Sequence, residues 1–150
     1  MDVNDTFETK AFETKGFETK AGFSPEAVVT HGELMRNEVL LALAASGLNG
    51  QNFAFVGYLP QDAEARTQRI RELESLALRT GQTQLFIETP YRNAALLQAL
   101  TQTLQHNTRL AVARGLTLAG ADIRSETVKA WRTKPPGADS RMPAVFAIGR

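Results

Sequence analysis

From Leu85 to Asn93 the chain reads Leu-Phe-Ile-Glu-Thr-Pro-Tyr-Arg-Asn, an apolar triplet followed at once by a carboxylate, a hydroxyl, a phenol and a guanidinium. Gln84 to Glu88 has the composition of a strand, and Thr89-Pro90 offers a hydroxyl N-cap with proline at the first helical position. The polar residues therefore fall where a strand becomes a helix, the edge at which open α/β sheets hold ligands. Free N–H groups of a first helical turn attract anionic groups there, and Arg92 is placed to pair with a carboxylate. The same spacing also admits a structural arrangement, in which Glu88 and Arg92 neutralise each other and Tyr91 packs on the sheet. Arg114-Gly115-Leu116-Thr117 follows a second apolar strand and faces the same edge. Gly115 either lets the backbone approach a ligand or simply turns the chain.

Other chemistry is scarce. The chain has no cysteine and only two histidines, His31 and His106, which excludes thiolate nucleophiles and Cys-ligated metals and disfavours a His cage. Glycine-rich phosphate loops, the G-x-S-x-G elbow and H-E-x-x-H are all absent. No catalytic residue is assigned, and no metal is expected. Asp62, Glu64, Arg66 and Arg69 are spaced for i,i+4 pairing on a solvated helix face. His106 follows a helix end, where a cation suits the dipole, and Trp131 reads as a core or rim anchor.

Positioning these residues requires alternating α and β elements. Val39 to Ala45 is helical and stops at Gly47; Phe53 to Leu59 is an aromatic, β-branched strand ended by Pro60. Asp62 caps a helix to about Thr80, with Ile70, Leu73, Leu76 and Ala77 on one face and Gly81 as its stop. The next helix packs through Leu96, Leu97, Leu100 and Leu104. Strands follow at Arg109 to Ala113, Arg124 to Trp131 and Ala144 to Ile148, the last two joined by the Thr133 to Gly137 loop. The pattern predicts an α/β domain with a single mixed, mainly parallel sheet of about five strands flanked by helices.

The 150 residues suffice for one domain, and 43% hydrophobic content excludes disorder throughout. The longest apolar run, Val39 to Ala45, is far short of the ~20 residues of a membrane helix. No apolar signal region opens the chain, so a cytoplasmic location without membrane attachment is the expectation. The net charge of +1 is unevenly spread: residues 1–35 hold three Lys and seven acids, and all twelve Arg lie beyond them. Phe-Glu-Thr-Lys occurs three times, beginning at Phe7, Phe12 and Phe17. A five-residue step aligns the Phe on neither a helix nor a strand face, so residues 1–38 are expected to be a disordered tail, with Ser24-Pro25-Glu26 able to cap a short helix.

Ala42 to Gln51, the run Phe53-Ala54-Phe55-Val56-Gly57-Tyr58-Leu59-Pro60 and the Glu88-Thr89-Pro90-Tyr91-Arg92 motif together resemble the tetrapyrrole (corrin/porphyrin) methylase family. The similarity is to the branch of ribosomal RNA small-subunit methyltransferase I and its uncharacterised paralogues. Val112 to Thr117 and Thr127 to Trp131 extend it, so residues 39–150 carry the likeness. Members of that family are two-domain enzymes that bind S-adenosylmethionine in the cleft between the domains, and the resemblance here is to the C-terminal one.

The resemblance implies an S-adenosylmethionine-dependent methyltransferase half, forming one wall of the donor cleft and inactive alone. Its cofactor-binding residues would be Glu88, Pro90, Tyr91, Arg92, Arg114, Gly115, Leu116 and Thr117. The family's N-terminal domain, supplied in trans, or a homodimer would be its partner. Arg114-Gly115-Leu116-Thr117-Leu118 replaces the branch's Arg-Glu-Leu-Thr-Lys, which removes a charged pair and favours the paralogues over a ribosomal RNA substrate. The alternatives are a non-catalytic α/β remnant or dimerisation and binding module, and an RNA-contacting domain that uses the Arg-rich segment.

Overall fold

The computed structural model describes residues 31–116, 121–136 and 142–150, with side chains from Asn37 onward. The Phe-Glu-Thr-Lys copies, the Ser24-Pro25-Glu26 cap, residues 1–30 of the tail expected to be disordered through residue 38, and Thr117 lie outside the described residues; residues 31–38 of that tail are helical instead. The chain divides into two compact units, residues 1–38 and 39–150, and the sheet belongs to the second.

Helix α1 (His31–Ser46) precedes strand β1 (Phe53–Tyr58), helix α2 (Ala63–Thr80) and strand β2 (Thr83–Ile87). A 3₁₀ turn (Pro90–Arg92) leads into α3 (Asn93–Thr103), then β3 (Arg109–Arg114), β4 (Asp122–Thr127), α4 (Val128–Thr133) and β5 (Ala144–Gly149). Local signals set several boundaries as expected. The Asp62 carboxylate accepts a 2.9 Å bond from the Ala65 amide, and Gly81 ends α2 at φ 79°, where its amide bonds to the Ala77 carbonyl. Ile70, Leu73 and Ala77 of α2 are buried, and Leu76 is half-buried.

The sheet order is β1-β2-β5-β3-β4. An α/β fold with one mixed five-stranded sheet is what the pattern predicts, but the expected excess of parallel pairs is corrected. Only β1 and β2 pair parallel; β5 runs antiparallel between β2 and β3, and β4 runs antiparallel to β3. The reason lies in composition. All six residues of β5, Ala-Val-Phe-Ala-Ile-Gly, are buried, so this strand needs neighbours on both sides and cover on both faces. Asp122-Ile-Arg-Ser-Glu-Thr of β4 is only partly covered and takes an edge, where its polar side chains reach water.

A second correction concerns the expected strand from Arg124 to Trp131. It ends at Thr127, whose hydroxyl accepts a 3.3 Å bond from the Ala130 amide and starts α4. The helical step then sends Val128 and Trp131 into the core together. Thr89 also departs from expectation. It holds the extended N-cap backbone but makes no side-chain cap bond, and α3 begins at Asn93.

Phe86, Leu110, Val112, Phe146 and Ile148 line one sheet face and pack with Ile70 and Leu73 of α2, Leu96, Leu97 and Leu100 of α3, and Val128 and Trp131 of α4. The Phe86 and Phe146 rings lie parallel, 6.0 Å apart. On the opposite face the Ser125 hydroxyl donates to the Ser46 carbonyl at 2.5 Å. Leu48 there packs so near Gly149 that a Cβ would sit 3.2 Å from its methyl. These contacts hold the end of α1 against β4 and β5. In β1 the register slips by one residue between Phe55 and Tyr58, with Gly57 at φ 77°, a bulge that only glycine adopts readily.

Candidate functional site

Strands β2 and β3 run in the same direction with β5 between them, and Ile87 and Ala113 flank the same residue, Val145. Glu88 and Arg114 therefore leave the sheet at the same level, two strand spacings or about 10 Å apart. Topology thus brings the two segments singled out in the sequence to one rim. Both are tied to the segment that enters β5. The Asn93 amide donates to the Met142 carbonyl at 3.0 Å, and the Gly115 amide donates to the Pro143 carbonyl at 2.9 Å. Gly115 holds φ 57°, so the turn requires its left-handed backbone.

Within the first segment the Glu88 side chain is 1% exposed. Its Oε1 accepts from the Thr89 amide at 2.7 Å and lies 3.2 Å from Arg92 Nε. Glu88 and Arg92 thus neutralise each other, as one of the two sequence arrangements required. The charges are close, yet the Nε–H direction misses the carboxylate, and Nε has no hydrogen bond. Arg92 Nη1 instead donates to the Tyr91 hydroxyl at 2.6 Å. Tyr91 does not pack on the sheet: it is 61% exposed, because the 3₁₀ turn points it outward beneath its own neighbour's guanidinium.

Past the end of β2, two buried acceptors among the described residues remain without a partner, Glu88 Oε2 and Asn93 Oδ1. The amide of Asn93 cannot be turned to relieve this, since its nitrogen is held by a carbonyl. A buried acceptor without a donor costs about 1–3 kcal/mol, so this corner calls for a group that carries N–H or O–H donors. The sequence places Asn93 at the end of the Glu-Thr-Pro-Tyr-Arg run but gives it no binding role; that position is the only signal it offers.

Arg114 goes elsewhere. On β3 it shares a face with Leu110 and Val112. Its side chain lines a cavity with Arg124, Trp131 and Lys134, and Glu88 is not among the residues around it. The backbones of the two segments converge, and these two side chains do not. Gly115 is buried and Leu116 half-buried beside them. Of the other sequence candidates, Arg69 pairs with Glu72 at 3.3 Å on an exposed face. His106 Nδ1 meets Arg132 at 2.8 Å. Trp131 is a core anchor, 1% exposed, with its indole N–H donating to the Leu110 carbonyl at 2.8 Å. Among the described residues, no cluster of three His, Cys, Asp or Glu could hold a metal, and no helix is long and apolar enough to cross a membrane.

No protein-family model matches the chain. Among curated proteins it is similar to ribosomal RNA small subunit methyltransferase I of Mesorhizobium japonicum, 33% identical over 101 residues that cover 67% of this chain and 33% of the relative. It is also similar to the protein of that name from Vibrio cholerae, 34% identical over 79 residues, 53% of this chain and 26% of the relative. The chain therefore spans a third or less of the length of these relatives. The solved structure of the methyltransferase CobJ overlaps with a TM-score of 0.48 at 18% identity, covering 74% of this chain and 46% of that one. Uroporphyrin-III-C-methyltransferase from Thermus thermophilus overlaps with a TM-score of 0.43 at 20% identity, covering 75% and 47%. The resemblance read from the motifs is borne out by the curated relatives.

Proposed function

We propose, from the kinship to the tetrapyrrole methylase family carried jointly by motifs and relatives, that residues 39–150 form one wall of an S-adenosylmethionine cleft. In this reading the chain supports methyl transfer only when a complementary half is supplied, by a methylase N-terminal domain in trans or by a second copy. The observation that carries the reading is the rim itself, where Glu88 Oε2 and Asn93 Oδ1 are buried acceptors without donors. S-adenosylmethionine fits that need, because its ammonium, adenine amine and ribose hydroxyls are all donors. When bound, it supplies a sulfonium-activated methyl group for transfer to a nucleophile.

The chain's own residues then bind and orient. Glu88 and Asn93 accept hydrogen bonds from the donor, and the Glu88 carboxylate adds attraction for a cationic ligand. Arg92 is held by Glu88 and Tyr91 and acts as a strut for that carboxylate. Pro90 and the Gly115-Leu116 turn shape the rim, with Gly115 anchored on Pro143. No acid–base step falls to any of these groups; holding donor and acceptor in line is the whole contribution. Calorimetric titration of the chain with S-adenosylmethionine tests the reading. Binding tighter than ~100 μM, about −5.5 kcal/mol, that Glu88→Gln weakens supports a retained wall. No heat at millimolar ligand would sink it.

A second reading, a dimerisation or binding module, is favoured by one feature. Edge strand β1 exposes Phe53, Phe55 and Tyr58 at 38%, 42% and 58%, and α1 exposes Leu40 and Leu41 at 53% and 49%. Apolar side chains exposed on a strand that has one unpaired side among the described residues favour association. Sedimentation across a concentration series, with Phe55→Lys as the disrupting variant, tests for it.

A further inference from the structure

We infer that the cavity between β3, β4 and α4 is a phosphate-binding site, in which Arg114, Arg124 and Lys134 receive a phosphate oxyanion. The inference does not rest on the methyl-donor reading, since neither Glu88 nor Asn93 lines this cavity. The cavity has a volume of about 240 Å³ and is lined by Val112, Arg114, Asp122, Arg124, Trp131, Lys134 and the two prolines Pro135 and Pro136. Three cations face one carboxylate.

The commitments of the cations differ. Arg124 is half-spent: its Nε pairs with Glu126, and one Nη donates to the Ala130 carbonyl at 3.3 Å. The side chains of Arg114 and Lys134 have neither an ion pair nor a hydrogen bond among the described residues. Arg114 is half-buried, so its charge has lost part of its water without gaining a counter-ion. Asp122 is the cross-strand partner of Arg114 in the β3–β4 register, yet the two make no ion pair.

The remaining walls narrow the ligand class. Pro135 and Pro136 have no N–H, so anion recognition falls to the side chains. Trp131 offers no stacking platform: the Arg124 guanidinium lies 3.9 Å over its ring, and the residue is otherwise buried. A nucleobase therefore finds no aromatic face here, which leaves the sequence-independent contact that phosphates make. Two uncommitted cations and a shared third outweigh Asp122, and their several donors suit the multiple acceptor oxygens of a phosphate better than the two of a carboxylate.

Trp131 is the chain's one tryptophan, so its fluorescence reports on this cavity directly. The full chain is titrated with inorganic phosphate at low ionic strength, beside Arg114→Gln and Lys134→Gln. A saturable fluorescence change is expected, with affinity reduced about tenfold in each variant. Thermal melting confirms that the variants fold, and Lys134, exposed at the cavity mouth, is the safer of the two. No saturable change, affinity in both variants unchanged from the parent chain, or acetate binding as tightly as phosphate would each overturn the assignment. A uridine oligonucleotide that displaces phosphate, with steep salt dependence, identifies a phosphodiester source. Displacement by pyrophosphate alone identifies a free small phosphate.

Discussion

The segments leaving β2 and β3 reach the same rim and manage their charges in opposite ways. After β2, Glu88 is buried and paired at 3.2 Å with Arg92, which is itself propped on Tyr91. The surplus there is one of acceptors, Glu88 Oε2 and Asn93 Oδ1. After β3, Arg114 stands half-buried without a counter-ion, among two further cations. A structural pair that is nearly self-sufficient calls for a donor-bearing ligand, whereas an unneutralised cluster calls for an anion. On the two proposals, one sheet edge offers two complementary binding chemistries, separated because β5 lies between their strands.

Four substitutions test that contrast. The largest effect should come from Trp131→Ala, which empties the floor beneath Arg124 and removes the bond to the Leu110 carbonyl. A loss of roughly 3–5 kcal/mol in urea unfolding is expected. Glu88→Ala comes next, at roughly 2–4 kcal/mol, because it strands the Arg92 guanidinium and the Thr89 amide. If Glu88→Ala proved neutral, the β2 segment would be no more self-sufficient than the β3 one, and the contrast would fail. Gly115→Ala should cost about 1–3 kcal/mol through its left-handed backbone, and it should loosen the grip on Pro143 seen by amide exchange. Arg114→Gln should change stability by no more than about 0.5 kcal/mol in either direction, while weakening phosphate binding. A large destabilisation by Arg114→Gln would recast that arginine as structural.

Legibility followed the range of the interactions. Asp62 and Gly81 marked the ends of α2 because a cap is a bond between residues a turn apart. The leucines of α3 showed their buried face by spacing alone. Val128 to Trp131 was misread as strand because Thr127 serves equally as a strand residue and an N-cap, and four residues are too few for periodicity to decide. The Glu88-Arg92 pair was legible as one of two arrangements; the choice between them depended on how the 3₁₀ turn aims Tyr91. No role for Asn93 was legible because its partner, the Met142 carbonyl, lies 49 residues away.

By itself, the sequence determined the helices and strands with strong local signals, the similarity to part of the ribosomal RNA small subunit methyltransferase I sequences, and the placement of polar residues just beyond two strands. Those properties rest on short-range bonding and on motif identity, which travel with the chain. Only the tertiary structure decided that β5 enters between β2 and β3, that most strand pairs are antiparallel, and that the cavity Arg114 lines does not include Glu88. Each of those depends on which buried groups find neighbours across the sheet. A fully apolar strand must sit in the centre, and everything to either side of it is displaced accordingly.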